Sequence, residues 1–187
     1  MNDPTQEAGK LRAFWHADVV MYITDDVGNI YGQANTPKDN GLPPPGPNFA
    51  RFASGVVQRS RALYDNTGSG TPSPYTFMHE FAHTIGAQHD FGNAVNQTDP
   101  VEPWSYGHWA GRIEGGARTI MSYLVSPDCT YPCPRVLFYS NSQVFDDWFR
   151  TGIANQSENA RTIADYGPVE AQYQLSIGRI FYDGLDP

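Results

Sequence analysis

The sequence predicts a single domain of the α/β or α+β class, because one strongly β-like segment and two helical segments are separated by loops rich in glycine and proline. The chain has 187 residues, of which 40% are hydrophobic and 17% are charged, with 18 Gly and 15 Pro. This length fits one domain with a real core. The composition is typical of a loop-rich globular protein rather than a helical bundle or a disordered tail.

The N-terminal part is expected to supply the sheet. Residues 17–23 are dense in β-branched and aromatic side chains and predict a buried strand. A turn at 25–29 and a loop at 36–48 should follow. The stretch 53–61 mixes Gly55 with polar residues, which favours an exposed edge strand. Such an edge could bind an extended peptide by backbone hydrogen bonds, or it could be an ordinary protected edge.

An amphipathic helix is predicted in the middle of the chain, after a second loop at 65–73. Ser73 and Pro74 form a good helix start, because proline is favoured at the first helical position. Apolar residues then recur at helical spacing between Phe77 and Ile85, which predicts one buried stripe. Gly86 should end the helix, because glycine adopts the left-handed cap conformation at no steric cost.

The C-terminal part shows weaker patterns. Residues 118–125 are expected to contain a short extended piece and a tight turn. A helix is predicted over 155–166, with Ser157 or Asn155 as its cap, and Gly167 and Pro168 should end or kink it. Beyond residue 169 the pattern is ambiguous.

The charge pattern excludes several classes of partner. The formal net charge is −8, and no cluster of Lys or Arg is present, so nucleic acid and anionic membranes are not expected partners. No apolar run approaches the ~20 residues that a membrane span needs. Residues 1–10 are polar and lack the apolar core of a signal peptide, so this stretch is not expected to direct export. A monomer is expected.

The two cysteines, Cys129 and Cys133, are separated by three residues in a proline-containing loop. A small disulfide is the preferred interpretation, ahead of free thiols and of metal binding, which would need two more ligands nearby. A disulfide would indicate an oxidising, extracellular compartment.

The run from His79 to Asp90 carries the strongest chemical signal. His79 and His83 are four residues apart on the predicted helix, so their imidazoles lie on one face and can bind one Zn²⁺. A catalytic zinc needs a third protein ligand, and His89 follows the sharp exit at Gly86. Glu80 is expected to act as general base for water activated by the metal. The alternatives are an amphipathic helix with structural histidines and an inactive protein that retains zinc.

HExxHxxGxxH followed by a methionine turn is the signature of the metzincins, and the chain resembles that family. The turn here is Thr119-Ile120-Met121-Ser122-Tyr123. The resemblance implies that Met121 forms a packed floor under the zinc. The aspartate directly after the third histidine, Asp90, is similar to the one at this position in the reprolysin branch. It is expected to form buried hydrogen bonds that fix the His89 loop. Tyr123 matches the tyrosine of astacins and serralysins that approaches the metal and stabilises the transition state.

Flanking segments are similar to bacterial secreted reprolysin-like enzymes, including the peptidyl-Asp metalloendopeptidases. This resemblance spans roughly residues 11–163. It implies a twisted, mixed and mostly parallel sheet with helices above a zinc cleft (an upper lobe of about 1–90) and a small irregular lower lobe of about 91–187. It further implies secretion, one catalytic Zn²⁺ and internal cleavage of polypeptides, with a possible preference for Asp at P1′. Little precedes residue 17, where such domains have a first strand and a long helix, so the N-terminus is expected to be truncated or the fold reduced.

Several polar residues have two interpretations. Arg118 and Arg135 flank the methionine turn and could pair with an acidic P1′ side chain, or brace loops. His108 and His16 are expected to be structural. A set of acidic loop residues could hold Ca²⁺, but no EF-hand loop is present and solvated acids are the better interpretation; these are Asp25, Asp26 and Asp39.

Overall fold

A computed structural model describes residues 4–25, 30–59, 75–94, 99–110, 116–123, 133–146 and 149–174. These residues form three helices, nine short strands and two 3₁₀ turns. In chain order the elements are α1 (Pro4–Trp15), β1 (Val20–Thr24), β2 (Gly32–Ala34), 3₁₀ turns at Asp39–Gly41 and Ala50–Phe52, β3 (Ser54–Gln58), α2 (Thr76–Ile85), β4 (Gln88–Asp90), β5 (Tyr106–Gly107), β6 (Trp109–Ala110), β7 (Ala117–Arg118), β8 (Phe145–Asp146), β9 (Phe149–Arg150) and α3 (Asn159–Glu170). The mixture of helices and small sheets confirms the α+β class.

The main sheet of the described part has the strand order β1-β3-β2. β1 runs parallel to β3, with Val20 opposite Ser54, and β2 runs antiparallel to β3, with Gly32 opposite Val57. The expected mixed sheet is confirmed, but the expectation of a mostly parallel one is wrong. The prediction of an edge strand at 53–61 is also wrong, because β3 is paired on both sides. Its polar side chains misled the prediction, since backbone pairing does not depend on side-chain polarity.

Helix α1 occupies the segment before β1, where the resemblance implied a first strand and a long helix and little of them was expected. Its apolar residues do not form a buried stripe: Phe14 and Trp15 are 72% and 66% exposed. The end of the helix is instead fixed by the buried Arg12, whose Nε donates to the carbonyl of Ala17 at 3.0 Å and whose Nη2 donates to the carbonyl of Asp18. These bonds tie α1 to the chain that enters the predicted first strand.

Helix α2 ends where the sequence predicted. Gly86 has a φ of +115°, and its N–H donates to the carbonyl of His83 at 2.9 Å. The helix packs against β2, β3 and α3. Its predicted start at Ser73 and Pro74 lies outside the described residues, as do most of the turn at 25–29 and the whole loop at 65–73.

Helix α3 differs from the prediction at both ends. It begins at Asn159, because the hydroxyl of Ser157 accepts the N–H of Ile153 instead of capping the helix. It continues through Gly167 and Pro168 to Glu170. The last turn is fastened to α2, since Thr84 Oγ1 donates to Glu170 Oε1 at 2.9 Å. A contact with a helix that is distant in the sequence therefore outweighs the local stop signal of Gly167 and Pro168.

Between α2 and α3, the described residues form three two-stranded pairs. β4 pairs with β5, β6 with β7, and β8 with β9. The tight turn predicted within 118–125 is confirmed, since Ser122 N–H donates to the carbonyl of Thr119 at 3.0 Å. A core cluster of Ala82, Ala87, Ile120 and Met121 joins this turn to α2. The division into an upper and a lower lobe stays a prediction.

None of the helices in the described part of the chain is long and apolar enough to cross a membrane.

Candidate metal centre

Three histidines converge beside one face of α2. Helix periodicity places His79 and His83 on one face, and the left-handed Gly86 turns the chain so that His89 in β4 faces them. The Nε2 atom of His89 lies 3.0 Å from the Nε2 of His79 and 3.0 Å from the Nε2 of His83. Nitrogens that bind one zinc tetrahedrally at 2.0–2.1 Å lie about 3.3 Å apart, so the spacing fits this ion.

Backbone carbonyls orient two of these rings. The Nδ1–H of His79 donates to the carbonyl of Ile120 at 2.9 Å, and the Nδ1–H of His83 donates to the carbonyl of Ala87 at 2.7 Å. With its proton on Nδ1, each neutral ring presents the lone pair of Nε2 to the centre. A carbonyl acceptor thus selects the tautomer that binds a metal.

Burial keeps the three imidazoles in the neutral, metal-binding form. It lowers the pKa of His83 to about 4 and that of His89 to about 2, and it lowers the pKa of His79 well below its usual range. Three buried lone pairs that face one another would repel, and a shared cation removes that repulsion. The donor set therefore fits a divalent metal such as zinc.

Within the described ranges, these histidines form the one group of His, Cys, Asp or Glu side chains close enough to hold a metal ion. The acids considered for Ca²⁺ do not join it. Asp25 pairs with Arg59 at 2.6 Å, Asp39 lies in a 3₁₀ turn, and Asp26 is outside the described residues.

Glu80 lies beside the histidine cluster on the sheet side of α2. Its side chain is 6% exposed, and burial raises its pKa to about 8, an effect that the Arg135 guanidinium opposes. The strand β2 packs closely on this side chain: a Cβ atom added at Gly32 would lie 2.6 Å from Glu80 Cγ and 2.9 Å from Glu80 Oε1. A carboxylate with restricted solvation next to a metal is suited to general acid–base chemistry.

The turn at Met121 packs against α2, and the carbonyl of its Ile120 contacts His79. Met121 is fully buried in the core cluster with Ala82 of α2. Asp90 is also fully buried, and its Oδ2 accepts the N–H of Tyr123 at 3.0 Å, while Asn93 Nδ2 donates to both of its oxygens. The buried hydrogen-bonding position expected for Asp90 is therefore observed. It joins the His89 strand to the turn.

Tyr123 lies beside the histidine cluster and is partly exposed to solvent. Its ring centroid lies 4.2 Å from that of His89, and the side chain is 41% exposed. Burial of the remainder, together with the charge of Glu80, raises the pKa of the phenol, so its O–H stays available as a donor. The structure thus brings Tyr123 together with the histidines and Glu80.

Comparison with known proteins agrees with this geometry. The model of the metallo-peptidase family M12 matches residues 24–132. The chain belongs to this family. No solved structure matches it significantly.

Three bacterial relatives of this M12 chain are each named peptidyl-Asp metalloendopeptidase. The protein of Stenotrophomonas maltophilia (strain R551-3) is 34% identical over 126 residues, which are 63% of this chain and 27% of the relative. That of Xanthomonas campestris pv. campestris is 34% identical over 92 residues, 49% of this chain and 20% of the relative. That of Pseudomonas fragi is 31% identical over 102 residues, 53% of this chain and 64% of the relative. The M12 chain therefore spans little more than a quarter of the Stenotrophomonas relative's length.

Arg118 and Arg135, the two arginines that flank the methionine turn, both brace it in the M12 chain. Arg118 Nη1 and Arg135 Nη2 donate to the same acceptor, the carbonyl of Ser122, at 2.7 and 3.1 Å. Arg118 is 4% exposed and also donates to the carbonyl of Cys133. Arg135 is only half-buried, and its charge acts on Glu80 and Tyr123. Of the two, Arg135 is the one that reaches toward the site.

His108 has the structural position that the sequence indicated. It is buried, its Nδ1 lies 3.2 Å from Ser157 Oγ, and burial lowers its pKa to about 4. Its carbonyl accepts the hydroxyl of Ser122 at 2.9 Å. Cys133 is buried, while Cys129 lies outside the described residues, so their pairing stays a prediction. Secretion and a monomeric state also stay predictions.

Sequence reasoning missed three participants in the site. The carbonyls of Ile120 and Ala87 orient the ligands, and Gly32 lies against Glu80. A backbone carbonyl has no side-chain signal. The nearest signal for Gly32 is a glycine inside a strand, which often marks a close approach of another group.

Proposed function

We propose that this chain is the catalytic domain of a zinc-dependent endopeptidase, with His79, His83 and His89 as ligands of one Zn²⁺. The observation that carries the proposal is the convergence of three neutral imidazole nitrogens next to the covered carboxylate of Glu80. Bound zinc would act as a Lewis acid that polarises the scissile carbonyl and makes water acidic.

The residues of the chain would supply the proton transfers. The positive charge of a bound metal would favour the ionised form of Glu80 against the effect of burial. The carboxylate then accepts a proton from the attacking water and delivers it to the leaving amine, which is the role of a general base that becomes a general acid. The phenol of Tyr123 donates a hydrogen bond to the developing oxyanion. Asp90 holds the backbone of Tyr123 in place for this task.

The substrate is proposed to be an extended polypeptide that lies along β2. This strand is at the edge of the main sheet in the described part, and its Gly32 lies against the side chain of Glu80. Backbone hydrogen bonds to such an edge hold a peptide without demanding a particular sequence. The peptide-binding edge expected from the sequence thus moves from 53–61 to β2.

A preference for Asp at P1′ is proposed to rest on Arg135. The relatives are named for peptidyl-Asp cleavage, and Arg135 is the half-buried arginine whose charge acts on Glu80 and Tyr123. A guanidinium can pair with a carboxylate through two parallel hydrogen bonds. Arg118 is more deeply buried and serves to brace the turn.

Digestion of a peptide library by the zinc-loaded chain, read by mass spectrometry, tests these proposals together. We expect cleavage of internal bonds with Asp enriched at P1′, complete loss of cleavage with a chelator, and a flatter P1′ profile for Arg135→Gln. The matched variant Glu80→Gln keeps the side-chain volume and removes the base. It should bind one equivalent of zinc and lose about 10²–10⁴-fold in kcat.

Two outcomes would contradict parts of the proposal. A chain that retains one equivalent of zinc and cleaves no peptide would support the alternative of a non-catalytic zinc-binding module. Equal cleavage before all residues would remove the Asp preference and leave the peptidase proposal intact.

A further inference from the structure

Gly32 of β2 lies directly against the side chain of Glu80. A Cβ atom added to Gly32 would lie 2.6 Å from Glu80 Cγ and 2.9 Å from Glu80 Oε1. Both distances are shorter than real Cβ contacts. A side chain at position 32 and the observed side chain of Glu80 would therefore compete for the same space.

The backbone of Gly32 does not itself require glycine. It is in a regular strand, with Gly32 paired opposite Val57 of β3, and its φ is not positive. These dihedral angles are open to any L-residue, so the constraint comes from neighbouring groups, and the shortest contact is with the Glu80 side chain of α2. The group that approaches Gly32 is the side chain of Glu80, which follows His79 in the sequence.

We propose that Gly32 is a positioning residue for Glu80: by lacking a side chain, it lets β2 close over the carboxylate and hold it in one place beside the metal site. This inference rests on the proposed function, in which Glu80 is the general base. Glu80 is 6% exposed, and β2 forms the cover. The segment that binds the substrate backbone would also fix the catalytic group.

A methyl group at position 32 should displace the carboxylate. To restore an ordinary contact from 2.6 Å, Glu80 Cγ has to move by about 1 Å, and errors of this size in a catalytic group cost on the order of 10²-fold in rate. The same methyl would lie 2.9 Å from the carbonyl oxygen of Val56. That second contact strains the sheet whether or not Glu80 is present.

A double-mutant cycle separates the two contacts. The full zinc-loaded chain is compared as wild type, Gly32→Ala, Glu80→Ala and the double variant, and Tm is measured for each. Glu80→Ala removes Cγ and Oε1 and leaves the Val56 carbonyl in place. Gly32→Ala should therefore lower Tm more in the wild type than in the Glu80→Ala background.

Kinetics on the same variants test the catalytic part. Gly32→Ala should lower kcat by about 10²-fold and change KM far less, with the zinc content unchanged. Gly55→Ala is the matched control in β3: its added Cβ would lie 3.0 Å from Ala34 Cβ and from Met21 Cε and Sδ, away from Glu80. It is expected to lower Tm and to keep kcat within about twofold.

If Gly32→Ala lowers Tm equally in the wild type and in the Glu80→Ala background, the proposed contact between positions 32 and 80 is wrong. If kcat for Gly32→Ala is no lower than kcat for Gly55→Ala, the proposed positioning role of Gly32 is wrong. An inactive wild type that binds zinc would instead contradict the proposed function. In that case the Tm cycle still decides whether Gly32 and Glu80 are coupled.

Discussion

At the scale of single residues, Glu170 is an acid held in an unfavourable environment. It is 4% exposed at the end of α3, where Thr84 Oγ1 donates to its Oε1. Its Oε2 is buried and has no hydrogen-bond partner among the described residues. Burial therefore raises its pKa from 4.5 to about 7, and the charge of Asp18 adds to this effect. A carboxyl group with one unsatisfied oxygen is more stable in its protonated form.

This raised pKa makes the folding stability depend on pH. Between pH 4.5 and about 7 the folded chain keeps a proton on Glu170 that the unfolded chain releases, so stability falls as the pH rises through this window and is level above it. The full effect is about 3 kcal/mol. Glu170→Gln keeps the acceptor for Thr84 and cannot ionise, so it should lose this part of the dependence and be more stable than wild type at pH 8.

Urea unfolding at pH 5 and pH 8 measures the difference between the two proteins. Protonation of the other groups, including the site histidines, affects both proteins equally and cancels in the comparison. If the stability of wild type and of Glu170→Gln changes with pH in the same way across this range, the pKa of Glu170 is not raised by folding.

At the scale of elements, the sequence predicts those features that depend on neighbouring residues. The span of α2 and its end at Gly86 follow from apolar spacing and one left-handed glycine. The position of β3 in the centre of the sheet does not, because its second partner β2 has only three residues, Gly32–Ala34, too few to show a period. The sequence also does not predict the last turn of α3, because the residue that stabilises it, Thr84, is 86 residues away in the chain.

The C-terminal end of α2 allows a direct test of the rule that a left-handed glycine ends a helix. Gly86 has a φ of +115°, and a Cβ there would lie 2.6 Å from Val101 Cγ2. Gly86→Ala should therefore destabilise the chain by about 1–3 kcal/mol from backbone strain, with a further loss from the clash. It should also weaken zinc binding, because His89 follows three residues later.

Chemical unfolding and zinc titration measure these effects of Gly86→Ala. Gly9→Ala is the opposite control: nothing lies within 4 Å of its added Cβ, and it is inside α1. It should stabilise the chain by about 0.5–1 kcal/mol. If Gly86→Ala matched wild type in stability and zinc affinity, the helix exit would not set the position of the third ligand.

At the scale of the whole molecule, the metal centre joins parts of the fold that local signals predict separately. The three ligands and Glu80 belong to one short run, so the sequence alone identifies them. Their supports come from elsewhere: the Ile120 carbonyl orients His79, and Asp90 binds the backbone of Tyr123. Those links depend on how the turn at Met121 lies under α2, which no local pattern encodes.

Because the centre draws together α2, β4 and the methionine turn, metal binding should stabilise the entire described fold. A ligand that binds only the folded state at about 1,000 times its Kd adds about 4 kcal/mol, which for a chain of this size raises Tm on the order of 10 °C. Differential scanning calorimetry with zinc and with a chelator measures this shift. His83→Ala removes one ligand and should show the same Tm in both conditions. A wild type whose Tm does not respond to the chelator would mean that the three imidazoles are held together by packing alone, with no metal contributing to the fold.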